Sequence, residues 1–133
     1  MFRNYDDSNM KKLICISFSF VFCSALFAVT HPFALTCEYI ENPLGIDIQN
    51  PVLGWKLQSD ERSQYQTAFE IMVATSENDL KQEKSLVWKS GKKISSQNNN
   101  VGYAGKKLQS FTRYYWKVRV YDRYGKPSEW SDT

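Results

Sequence analysis

The sequence predicts an all-β fold, an antiparallel β-sandwich forming one domain, on three observations. From Cys37 onward the apolar residues recur with period two, and no long helical stripe is present. The apolar runs are short and separated by turn-forming clusters: Asn42-Pro43-Leu44-Gly45, Ser59-Asp60-Glu61-Arg62-Ser63, Ser90-Gly91-Lys92-Lys93, Asn98-Asn99-Asn100 and Tyr124-Gly125-Lys126-Pro127. The chain has 133 residues, 42% of them hydrophobic, which is room for one core and not for two. Strands of this spacing around a single core argue for two packed antiparallel sheets.

Before the strands lies a piece of another kind. Met1 to Lys12 is polar and ends in Lys11-Lys12, and the uncharged run Leu13 to Val29 follows. A basic start and an uninterrupted apolar run at the N-terminus read as a secretory signal. At 17 residues the run is at the short edge for spanning about 30 Å of hydrocarbon, so cleavage is expected over a retained anchor. Ala28-Val29-Thr30 is the nearest match to a cleavage site, and His31-Pro32 would end any helix there. The division is therefore residues 1–36 as signal peptide and short leader, and residues 37–133 as the sandwich. The expected location is outside the cytoplasm: periplasmic, cell-surface or secreted, with membrane contact only through an uncleaved signal. Cys15 and Cys23 fall in the export segment, which leaves Cys37 as a buried strand cysteine with no internal disulfide partner.

Taken in order, Cys37-Glu38-Tyr39-Ile40 is a short candidate strand. Pro51 to Leu57 puts Leu53, Trp55 and Leu57 on one face. Gln66 to Ala74 puts Thr67, Phe69, Ile71 and Val73 together, with Glu70 opposite. Thr75 to Lys84 is polar and fits a single helical turn capped by Ser76. Leu86 to Lys89 and Val101 to Tyr103 are short strands. Thr112 to Asp122 is the clearest, with Tyr114, Trp116, Val118 and Val120 on one face and Arg113, Tyr115, Lys117, Arg119 and Tyr121 on the other. Leading into it, Leu108-Gln109-Ser110-Phe111-Thr112-Arg113-Tyr114 has the form of a tyrosine corner, in which the phenol reaches back to backbone in the preceding crossover.

Groups for catalysis are scarce. His31 is the only histidine and sits beside the cleavage region, which removes Ser-His-Asp, Cys-His and histidine-based zinc arrangements. Gly91, Gly102 and Gly105 are isolated and make no phosphate-binding loop. The carboxylates Asp60, Glu61, Glu70 and Asp122 show no spacing that makes a glycosidase pair, and read as solvated turn and strand charges. No catalytic residue, cofactor or metal is expected. Seventeen Lys and Arg against fourteen Asp and Glu give no basic face for nucleic acid.

The outward face of Thr112–Asp122 is the candidate interaction face: Tyr115, Lys117, Arg119 and Tyr121, joined by Trp130. Alternating aromatic and cationic groups can dock another domain or stack on sugar rings. Ordinary cross-strand pairing, Glu70 opposite Lys117 or Arg119, is the simpler account of the charges. Ser128-Glu129-Trp130-Ser131 is similar to half of the tryptophan-serine box of cytokine-receptor modules, where Trp rings stack between strand cations. Here that reads as a stability feature.

One family resemblance joins these pieces. Cys37-Glu38-Tyr39, Glu41-Asn42-Pro43-Leu44-Gly45-Ile46-Asp47, Pro51-x-Leu53-x-Trp55, Gln66-Thr67-Ala68-Phe69-x-Ile71-x-Val73, Leu86-x-Trp88-x-Ser90-Gly91, Val101-x-Tyr103-x-Gly105-x-x-Leu108, Thr112 through Val120 and Ser128 through Ser131 follow one another across residues 37–132. In that order they resemble the opening of bacterial α-L-rhamnosidases of glycoside hydrolase family 78. The resemblance implies an immunoglobulin or fibronectin type III-like sandwich placed ahead of further β-domains and a helical-barrel catalytic domain. It implies a parent enzyme that hydrolyses α-linked L-rhamnose with inversion. The catalytic carboxylates belong to that barrel, and no position here matches them. The expected role is a non-catalytic structural or docking module whose partners are the parent's neighbouring domains. The alternative is a stand-alone secreted module binding glycan through exposed aromatics. Relatives continue past the equivalent of Trp130-Ser131 into a last strand, so the sandwich is expected to lack that strand and to leave the edge of Thr112–Asp122 unpaired, as in a truncated product.

Overall fold

The computed structural model describes residues 30–133. The export-segment reading of residues 1–29 lies outside the described residues. Seven strands and one short helix follow in the order β1 (His31–Cys37), β2 (Val52–Gln58), β3 (Ala68–Ala74), α1 (Glu77–Gln82), β4 (Trp88–Lys89), β5 (Lys93–Ile94), β6 (Val101–Gly102) and β7 (Tyr115–Tyr121). They form two sheets with every pairing antiparallel. One sheet has the order β1-β2-β6; in the other, β3 is central, with β4 and β5 along one edge and β7 along the other. The chain is thus an all-β, immunoglobulin or fibronectin type III-like sandwich.

Period two builds the core between the sheets. Leu53 and Trp55 from β2, Phe69, Ile71 and Val73 from β3, Val101 and Tyr103 at β6, and Val118 and Val120 from β7 form one buried cluster. Complete burial of each aliphatic side chain contributes about 1.5–3 kcal/mol. Two edge-to-face ring pairs bridge the sheets: Trp55 on Phe69 at 5.2 Å and Trp88 on Tyr103 at 5.0 Å. Gln66, also buried, joins the sheets through polar contacts. Its Oε1 accepts from Trp55 Nε1 at 3.0 Å, and its Nε2 donates to the Ser95 and Gln97 carbonyls.

The helix forms where its cap predicts. Ser76 Oγ accepts the Asp79 N–H at 3.1 Å, the hydroxyl donates to the Asp79 carboxylate at 2.8 Å, and Glu83 ends the turn in the left-handed region. Leu80 is fully buried and pins the helix over Met72 and Ala74 on the second face of β3. That face is covered as well, so all seven residues of β3 are buried.

Four departures from the sequence reading concern the strands and their edges. β1 begins at His31, within the segment assigned to the leader, and residues 31–36 belong to a sandwich strand. Its pairing with β2 shifts between Phe33 and Thr36, with Ala34 at φ 47°, and this bulge breaks the alternation that would have marked the strand. Cys37 to Ile40, read as a strand, is the last residue of β1 and a tight turn, bridged by hydrogen bonds between Cys37 and Ile40. β5 arises inside Ser90-Gly91-Lys92-Lys93 and its neighbour, where the residues spelled only a turn. Finally, the outer edge of β7 is not left open between Val118 and Asp122, because the segment Pro127–Ser131 runs antiparallel beside it.

The turn that makes this return possible is organised by Asp122. Its carboxylate accepts the N–H groups of Tyr124 at 2.8 Å and Lys126 at 2.9 Å, while Gly125 takes φ 76°. Asp122 is therefore a buried turn anchor and not the solvated strand-end charge the sequence suggested.

Candidate interaction face

β7 pairs with β3 over its whole length, and the register sets Arg119 directly opposite Glu70. The cross-strand pairing expected from sequence is therefore formed. Arg119 donates from Nε at 3.0 Å and from a terminal nitrogen at 2.7 Å, both to Glu70 Oε2. The Tyr121 hydroxyl donates to Glu70 Oε1 at 2.7 Å. Glu70 is buried, in contrast to its reading as an exposed strand charge. Burial alone would raise its carboxyl, but the hydrogen bonds from Tyr121 and Arg119 and the charges of Arg119 and Lys89 outweigh it and hold the group below the ordinary glutamate range. Tyr121 is driven the other way, upward, by burial and by its bond to that carboxylate.

Around this pair the face forms a ladder of cations and rings. Lys92 Nζ stands 3.9 Å from the Tyr121 ring centre, and the Arg119 guanidinium 5.9 Å from the same ring. Trp130 lies across the next two cations, 4.8 Å from Arg119 and 4.7 Å from Lys117 Nζ. Beyond Trp130, Lys117 reaches Glu83 at the helix cap, 3.8 Å away, and Lys89 reaches the same carboxylate at 3.5 Å. Burial lowers the Lys117 ammonium, with Lys89 and Arg119 adding to the effect and Glu83 opposing it.

All five sequence-predicted residues, Tyr115, Lys117, Arg119, Tyr121 and Trp130, are brought to one face, but it is less open than expected. Lys117 is 8% exposed and Tyr121 7%. Tyr115 and Trp130 are half-buried against Met72, Ala74 and Leu80, so part of the face is a second small core. Sequence reasoning missed Glu83, Lys89 and Lys92 as members. Their signal was weak, because each sits in a short polar stretch whose place beside β7 depends on the tertiary fold.

Elsewhere, His31, Glu41 and Asp132 line a shallow groove along β1, and no hydrogen bond links the imidazole to either carboxylate. Among the described residues no group of His, Cys, Asp and Glu is placed to hold a metal ion, and no helix is long and apolar enough to cross a membrane.

Comparison with known proteins gives a consistent result. The family model for the Rha78A-like N-terminal immunoglobulin domain matches residues 32–133. The chain is 42% identical over 103 residues to an alpha-L-rhamnosidase of Streptomyces avermitilis, covering 77% of this chain and 10% of that protein. It is 38% identical over 91 residues to an alpha-L-rhamnosidase of Formosa agariphila, covering 68% and 10%. Among solved structures, the alpha-L-rhamnosidase from Dictyoglumus thermophilum aligns with a TM-score of 0.75 at 38% identity, over 78% of this chain and 12% of that one. The Streptomyces avermitilis enzyme complexed with L-rhamnose aligns with a TM-score of 0.74 at 39% identity, over 77% and 10%. The chain spans about a tenth of the length of the curated relatives it matches.

Proposed function

The chain belongs to the Rha78A-like N-terminal immunoglobulin domain family, and from that premise we propose that it serves as the non-catalytic N-terminal accessory module of an exported, multidomain α-L-rhamnosidase. In this reading the parent enzyme hydrolyses terminal α-L-rhamnose from glycans, the chemistry resides in other domains, and this module braces or docks its neighbours. The observation that carries the reading is the extent of the match: most of this chain, but only a tenth of each relative. The apolar run Leu13 to Val29 supports export.

The face of β7 supports a structural role over glycan binding. A sugar-stacking platform needs an open ring. The Tyr121 ring is buried with its hydroxyl on Glu70, and the Trp130 ring is engaged by two cations. Two experiments test the proposal. The gene downstream of the Thr133 codon is expected to continue in frame into further domains; a stop followed by unrelated sequence would count against it. Titration with rhamnose-containing oligosaccharides is expected to leave tryptophan fluorescence without a saturable change. A saturable change lost on Trp130→Ala would favour the glycan-binding module instead.

A further inference from the structure

The two ring pairs between the sheets fix which strand ends share a pole. Trp55 and Phe69 meet toward the end where β3 begins, whereas Trp88, paired with Val73 near the end of β3, meets Tyr103, just past β6. The β1–β2 connection and the β6–β7 crossover therefore stand at one pole together. These connections carry large apolar side chains in solvent, among them Leu44, Ile48 and Phe111. Leu44 is 87% exposed and Phe111 fully so.

Phe111 is the sharpest of these. Its backbone is in the left-handed region at φ 56°, where glycine is at ease and a bulky residue is a steric outlier. The tyrosine corner holds it there: the Tyr114 hydroxyl accepts the Gln109 N–H at 2.8 Å, Thr112 Oγ1 donates to the Ser110 carbonyl at 3.2 Å, and Leu108 packs on the core. A rigid turn thus displays an aromatic ring to water at a position where its backbone is strained, an arrangement that gains nothing for the isolated domain.

The direction of the chain indicates what covers this pole. Pro127–Ser131 runs antiparallel to β7 and so heads toward the end where β7 begins, the same pole. The relatives are about ten times as long as the stretch they share with this chain. Resting on the accessory-module reading, we propose that the pole bearing Leu44, Ile48 and Phe111 is the docking surface for the domain that follows the immunoglobulin domain in the parent enzyme. That domain presents an apolar patch to it. The Phe111 ring is the anchor, and Leu44 and Ile48 widen the contact.

The test uses the Streptomyces avermitilis α-L-rhamnosidase carrying residues 32–133 of this chain in place of its own domain, beside the free chain exported from a bacterial host. Scanning calorimetry is expected to show the grafted domain unfolding with the enzyme, several degrees above the free chain. Leu44→Ser with Phe111→Ser is expected to return it to a separate, lower transition, with aryl α-L-rhamnoside turnover retained as evidence of an intact catalytic domain. The same pair in the free chain is expected to leave its melting temperature unchanged or raised, which separates docking from a folding defect. Continued joint unfolding of the double variant would overturn the inference while leaving the accessory reading intact. Independent unfolding of the unsubstituted graft would likewise overturn the inference, whereas the accessory reading stands or falls separately on the sequence downstream of the Thr133 codon. Concentration-dependent dimerisation of the free chain, abolished by Phe111→Ser, would assign the pole to a second copy and contradict the inference.

Discussion

Ser131 meets both backbone groups of Val118: its amide donates to the Val118 carbonyl at 2.8 Å, and its hydroxyl accepts the Val118 N–H at 3.1 Å. Ser128 does the same to Val120, at 2.8 and 3.1 Å. A neighbouring strand would supply a carbonyl for each N–H. Here a serine hydroxyl takes that place, and an irregular segment closes a sheet edge. Trp130, between the two serines, turns its ring to the strand cations, so one four-residue segment covers both the edge and the outer face of β7.

Removing one hydroxyl leaves a buried N–H without its acceptor, a loss of about 1–3 kcal/mol. Ser131→Ala is therefore expected to lower the melting temperature by several degrees, and Ser128→Ala with Ser131→Ala by more. The double variant is also expected to self-associate in sedimentation velocity, since it reopens an unpaired edge.

Tyr114→Phe removes the acceptor of the Gln109 N–H and leaves the ring in place. The expected cost is about 1 kcal/mol, read from urea unfolding with an unchanged m-value. The Gln109 amide should exchange with solvent deuterium faster in the variant, an effect that a mere packing change would not localise.

Glu70 predicts the acid limb of stability. Its folded carboxyl sits below its unfolded value because the bonds from Tyr121 and Arg119 and the cationic charges outweigh burial. The carboxylate therefore contributes stability that is present above the unfolded value and is lost as pH falls through the lowered folded one. Melting temperature followed from neutral pH to about pH 3 should fall along this limb. Glu70→Gln should lower the neutral-pH plateau and flatten the fall.

Cys37 should be slow to alkylate. Burial, with Glu38 adding to it, pushes its thiol up to about 11. At pH 8 the thiolate is then about a thousandth of the population. Iodoacetamide labelling mapped to Cys37 by mass spectrometry is expected to run on the order of 100-fold slower in the folded chain than in urea.

Much of the architecture was legible because its signals are local. The alternation in β3 and β7, the Ser76 cap and the Tyr114 corner each lie within a few residues of the groups they act on, or follow from strand period; the stacking of Trp130 on strand cations was suggested instead by the Ser128–Ser131 motif. What stayed hidden depends on contacts between distant segments. β1 was lost to its bulge at Ala34, which breaks the period, and to the apolar run before it. β5 lies next to Gly91 and is held as a strand only by its bonds to Ala68 and Phe69. The burial of Lys117 and Tyr121 comes from α1, Trp130 and the Glu70 network, and no count along β7 alone could place those over it. The closed edge was missed because serines, unlike alternating apolar residues, leave no strand signature.

If the domain carries no chemistry of its own, the purified chain does not turn over an aryl α-L-rhamnoside. The rate of aglycone release is expected to be indistinguishable from buffer at any chain concentration. Saturable release proportional to chain concentration, and abolished by replacing one carboxylate such as Glu41→Gln or Asp132→Asn beside the β1 groove, would contradict it.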